Sequence, residues 1–125
     1  MSRARRIDAG RRAMDARIQT IRYLASFESQ ERYIVRGTAS EYLLPAQLVN
    51  DALELVRLVD SGMIASWLSA TQRDRLAELK LALEAVDVEA PNDQLVRRDP
   101  AWAAVRTAAG RFLAEYEGTV HPPAG

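Results

Sequence analysis

Two runs of apolar residues with helical period, separated by the break Asp60-Ser61-Gly62, constrain this chain more than any other feature. From Pro45, Leu48, Ala52, Leu55 and Val59 recur at i, i+4, i+7 and i+11, and Val49, Leu53 and Val56 widen the stripe. That is one buried helix face, and the run is too long for an ordinary strand. Proline suits a first helical turn and pushes Leu44 out of the helical region, so the helix starts at Pro45. Gln47, Asp51, Glu54 and Leu58 form a second, mostly polar row. The helix is predicted to end near Asp60, with Gly62 free to take a positive φ.

The second run starts at Ser69, where S-x-x-Q reads as a capping box between Ser69 and Gln72. Leu76, Leu79, Leu83 and Val86 supply its apolar face, and Ala90-Pro91 stops it. Helices over 45–60 and 69–88 joined by so short a connection are predicted to lie side by side, leucine against leucine.

The remaining chain reads as further helix. Met14, Ile18, Ile21 and Ala25, with Leu24 beside them, predict a helix over about 8–26. A kink at Ser26 leads into a short separate helix ending at Gly37. Residues 38–44 connect, and 63–68, rich in large apolar groups, cover one end of the core. Asp99-Pro100 marks a last helix, with Asp as N-cap and proline as first helical residue. Its stripe is Trp102, Val105, Ala109, Phe112, Leu113 and Tyr116, and Gly118 suits its C′ position. The expectation is an all-α domain at 13–118, a bundle of four to five helices around the 45–60 and 69–88 hairpin. Residues 1–12 are predicted to be a flexible basic tail and 119–125 a second flexible tail.

A chain of 125 residues has the size of one domain and is long enough for one core. It contains no cysteine, which excludes disulfides and thiolate metal sites. No apolar run approaches the roughly 20 residues a bilayer span needs. The arginine-rich start lacks an apolar segment of the secretory kind, so the expected location is the cytoplasm. Net charge is zero but uneven: seven arginines against Asp8 and Asp15 put residues 1–22 at +5 and the rest at −5. Arginine outnumbers lysine sixteen to one.

Chemistry-bearing patterns are sparse. His121, the single histidine, stands before two prolines without evident partners. The pairs Glu84/Asp87 and Asp51/Glu54 share helix faces, but a hard cation wants six or more converging oxygens, and such pairs are mostly solvated surface. Trp67, Trp102, Phe112 and Tyr116 are better explained by core packing than by a ligand pocket. No glycine-rich phosphate loop occurs. The expectation is a protein that is not an enzyme and takes no cofactor and no metal.

Two surfaces remain. Residues 64–73 look like a helix-turn-helix, with Ser69, Thr71, Gln72, Arg73 and Arg75 at groove-facing positions. Ser69 stands where glycine is usual, and Asp74, Glu78, Glu84 and Asp87 oppose phosphates. The other surface is acidic: Asp51, Glu54, Asp60, Glu78, Glu84, Asp87, Glu89 and Asp93 leave residues 41–93 anionic despite Arg57, Arg73, Arg75 and Lys80. Such a face suits a basic protein partner.

Three segments resemble small bacterial immunity proteins of contact-dependent growth inhibition and related polymorphic toxin systems. They are Ile21-Arg22-Tyr23-Leu24-Ala25 running into 28–33, the 53–60 helix end followed by Ile64 and a helix through Leu76, and Asp99-Pro100-Ala101-Trp102 with Val105 and Ala108. The similarity spans about residues 18–117. It implies a non-enzymatic cytoplasmic protein that binds and neutralises a cognate toxin domain. The family carries a denser acidic cluster where this chain has Asp60-Ser61. Asp51, Glu54, Asp60, Glu78 and Glu84 are the expected partner-binding residues, set against a basic toxin. The alternatives are a DNA-binding regulator using Ser69–Arg75 and a scaffold or oligomerisation module.

Overall fold

The computed structural model describes residues 3–62 and 68–120, and among these every regular element is helical. The elements are α1 (Arg3–Ala25), α2 (Phe27–Gln30) continued by a π-helical turn (Glu31–Val35), α3 (Pro45–Asp60), α4 (Ala70–Glu84), α5 (Asn92–Arg98) and α6 (Pro100–Val120). Met1, Ser2, the segment 63–67 and the end 121–125 lie outside the described residues.

Local chemistry sets the ends of α3 and α4 as expected. Pro45 opens α3 after an extended Leu44. At its far end Ser61 N–H donates to Arg57 O, Gly62 N–H donates to Val59 O, and Gly62 has φ of 85°. Only glycine takes that conformation without steric cost. Both capping-box bonds of α4 are present: Gln72 N–H donates to Ser69 Oγ at 3.1 Å, and Ser69 N–H donates to Gln72 Oε1 at 2.7 Å. α4 stops at Glu84, short of the expected 88. The Asp87 carboxylate accepts from Glu89 N–H at 3.0 Å, a local turn that competes with helix.

The expected pairing of α3 with α4 is the smaller contact. α4 packs chiefly against α6, α6 against α1, and α1 against α3. The reason lies in α6, whose Trp102 and Phe112 are both fully buried. Each large ring offers far more area to cover than a leucine. Leu76, Leu79 and Leu83 of α4 and Met14, Ile18, Ile21 and Leu24 of α1 complete this core, and Leu48, Ala52, Leu55, Val56 and Val59 of α3 close it. The organising element is therefore α6 and not the hairpin.

Ser26 breaks the chain as predicted: extended, it caps α2 by accepting from Ser29 N–H at 3.1 Å. The π turn that follows was not expected. It leaves carbonyls that partners from afar satisfy: Leu43 N–H donates to Tyr33 O at 2.8 Å, and Asn92 Nδ2 donates to Ile34 O at 3.3 Å. At Gly37 an added Cβ would lie 2.5 Å from Tyr33 O and 2.9 Å from Tyr42 Cβ, so this close crossing needs glycine. α5 was also missed; it carries only Leu95 and Val96 as buried residues. α6 begins as read, with Asp99 Oδ1 accepting from Ala101 N–H at 2.8 Å, but runs through Gly118 to Val120. α1 likewise starts at Arg3, inside the stretch expected to be a tail.

Candidate interaction surfaces

The five expected partner-binding residues do not share one face. At about 100° per residue, Asp60 leaves the α3 axis roughly 180° from Asp51 and roughly 120° from Glu54. Asp51 and Glu54 are half-buried on one flank, with Glu54 Oε2 accepting from Arg57 at 3.2 Å. Asp60 is exposed on the other flank, beside α4. Glu78 is held internally: Arg75 donates to its Oε1 at 2.9 Å, and Arg111 of α6 stands 3.6 Å from its Oε2. The second contact is too long for a hydrogen bond and acts through charge. Glu84 is exposed at the end of α4.

Between α3 and α4 lies an open groove of about 370 Å³. Its apolar wall is Val56, Val59, Leu76 and Ala77, and Asp60, Arg73 and Lys80 rim it. None of these three charges makes an ion pair with another described residue. The α3–α4 contact beside the groove is smaller than those of α4 with α6, α6 with α1 and α1 with α3.

The densest acidic surface lies elsewhere. Glu84, Asp87, Glu89 and Asp93 run from the end of α4 to the start of α5, and all four are exposed. No arginine or lysine occurs between Leu81 and Val96. Among the described residues none of the four forms an ion pair, although Asp93 contributes to the field that raises the Arg97 pKa. The C-terminal end of the α4 dipole adds partial negative charge beside Glu84. The acidic composition of this stretch was legible in the sequence; the short helix α5, whose first turn holds Asp93, was not.

The helix-turn-helix residues are largely committed to the fold. Ser69 and Gln72 are used in the capping box, and Gln72 Nε2 also donates to Glu115 O at 3.3 Å. Arg75 is taken by Glu78, which leaves Thr71 and Arg73 exposed. Ile64–Trp67 lie outside the described residues, as does His121. Trp102 and Phe112 belong to the core, and Tyr116 stacks on Phe112 with centroids 6.0 Å apart.

The most deeply buried side-chain amide is fully satisfied by the fold, whereas the buried Nε of Arg17 has no hydrogen-bond partner among the described residues. Gln30 is fully buried; Nε2 donates to Tyr23 O and Leu24 O at 3.0 and 2.7 Å, and Oε1 accepts from Trp102 Nε1 and Arg106, each at 3.0 Å. Arg106 also donates to Val96 O at 2.9 Å and lies over the Phe27 ring. Partial burial lowers its pKa from the usual arginine value. Arg97 grips Glu31 with two nitrogens, holding that carboxyl below its ordinary range and raising its own pKa.

Among the described residues no group of three or more His, Asp or Glu side chains is placed to hold a metal ion, and no helix is long and apolar enough to cross a membrane. Comparison with protein-family models, curated proteins and solved structures finds no match.

Proposed function

We propose that this chain is a non-catalytic binding protein that neutralises a basic bacterial toxin domain in the cytoplasm, covering the toxin's cationic cleft with acidic side chains. The observation that carries this reading is the exposed corner Glu84, Asp87, Glu89 and Asp93, free of ion pairs among the described residues. Unpaired surface carboxylates steer a cationic partner and lose little hydration until contact. The second acidic flank, Asp51 with Glu54, is a separate and weaker candidate, because Arg57 already offsets Glu54. The resemblance to immunity proteins supports the choice of a toxin over other basic partners.

The reading requires a neighbouring reading frame that encodes a large secreted protein with a variable C-terminal domain, and its absence counts against the reading; that domain is the titrant, measured calorimetrically at low and moderate salt. Asp87→Lys with Glu89→Lys is expected to weaken capture roughly tenfold or more, as like charges across an interface do. Asp51→Lys with Glu54→Lys is expected to weaken it less. Thermal unfolding should fall only slightly in the first variant, whose sites are exposed and whose one lost bond is that of Asp87 to Glu89 N–H. Undiminished capture by both variants sinks the reading.

A further inference from the structure

We propose that the exposed face of α4 beside the α3–α4 groove is the contact surface of a weak antiparallel dimer of this chain. Three observations meet there. Leu81 is 71% exposed, the most exposed large apolar side chain among the described residues. Ala77, one turn earlier, is exposed beside it and opens onto the α3–α4 groove. Arg73, Ala77, Lys80 and Glu84 follow at i, i+4, i+7 and i+11, all exposed, so they form one row along the helix.

That row is self-complementary when read backwards. A twofold axis crossing α4 between Glu78 and Leu79 sets Arg73 opposite the partner's Glu84, and Glu84 opposite the partner's Arg73. Lys80 then lies across from the partner's Ala77, its aliphatic stem over the small side chain. Leu81 flanks the row, roughly 60–80° round the helix from Glu84 and Arg73, and stands within one residue's rise of the partner's Ala77. The same patch on both copies is what a twofold dimer requires.

The end charges support this use. Arg73 sits in the first turn of α4 and Glu84 closes its last, each at the end where the helix dipole disfavours it. Neither makes an ion pair among the described residues. Across an antiparallel pair the same two charges become attractive. A contact limited to one helix per copy belongs with the small, transient interfaces, below about 1,200 Å² of buried surface. Asp87 and Glu89 lie beyond the row and stay open to another partner.

Sedimentation over a concentration series tests the proposal, and is read independently of toxin capture. The parent is expected to shift from monomer toward dimer as concentration rises, and Leu81→Glu to remain monomeric. Arg73→Glu or Glu84→Arg alone is expected to raise the dissociation constant roughly tenfold or more, since each puts like charges face to face twice. Both changes favour the helix dipole, so lost association cannot be ascribed to unfolding. An equimolar mixture of the two single variants restores opposite charges at both contacts and should associate like the parent. The double variant Arg73→Glu with Glu84→Arg should do so too. A parent monomeric throughout, single variants that associate undiminished, or a mixture no tighter than its components overturns the proposal.

Discussion

The indole N–H of Trp102 donates to the side-chain oxygen of Gln30 across 3.0 Å, and both side chains are completely buried. The bond joins residues 72 apart and sits where α1 ends, because the amide of Gln30 also takes the carbonyls of Tyr23 and Leu24. Those carbonyls lie in the last turn of α1, beyond which the break at Ser26 ends the helical ladder.

Gln30→Ala leaves the Trp102 N–H and the Leu24 carbonyl without this partner in a buried site, whereas the Tyr23 carbonyl keeps the Ser26 N–H at 3.3 Å. Orphaned buried polar groups cost about 1–3 kcal/mol each, partly recovered where water enters, so a total loss of roughly 2–4 kcal/mol is expected. Urea denaturation measures it. A loss no larger than that of an exposed substitution on α4 refutes this role for the amide.

The α4 cap gives a smaller and separable effect. Ser69→Ala removes the acceptor for Gln72 N–H and should cost about 1 kcal/mol. Gln72→Ala removes the return bond and also the tie to Glu115 O, so it should cost more than Ser69→Ala. Thermal melts of the two single variants and the double variant decide this; additive losses would show that the capping-box bonds act independently.

How far these contacts were legible in the sequence depends on their range. Pro45, the Ser69–Gln72 box and Asp99-Pro100 act within one helical turn, and the structure begins the three helices where those signals stand. Ser26 and Gly62 also act locally and were readable. Glu78 reads as free surface in the sequence, because its second partner, Arg111, is 33 residues away on another helix. Gln30 gave no signal, since a glutamine inside Glu28-Ser29-Gln30-Glu31 reads as solvated until α6 brings Trp102 to it. The choice of α6 over α3 as the main neighbour of α4 turned on how much aromatic area each helix offers. Periodicity alone does not rank such competitors.

Acid should loosen the joint between the π turn and α5. Arg97 donates two hydrogen bonds to Glu31 and lowers its pKa from the ordinary glutamate value of 4.5. A carboxylate with a depressed folded-state pKa stabilises the fold above its unfolded value, and that contribution fades as pH falls through the folded value. In Glu31→Gln this part of the acid dependence should vanish, while stability near neutral pH drops to a lower, flatter level. Parallel denaturation curves from neutral pH to pH 3 for parent and variant check it; identical slopes for the two refute it.

The π turn at Glu31–Val35 is a single spool on which two distant threads are wound: the amide of Leu43 holds one of its carbonyls, and the side chain of Asn92 holds the next. Rewinding that turn to ordinary helical pitch swings both anchor points at once. The connector before α3 and the start of α5 thus share one mooring, each tied to a neighbouring carbonyl of the same turn.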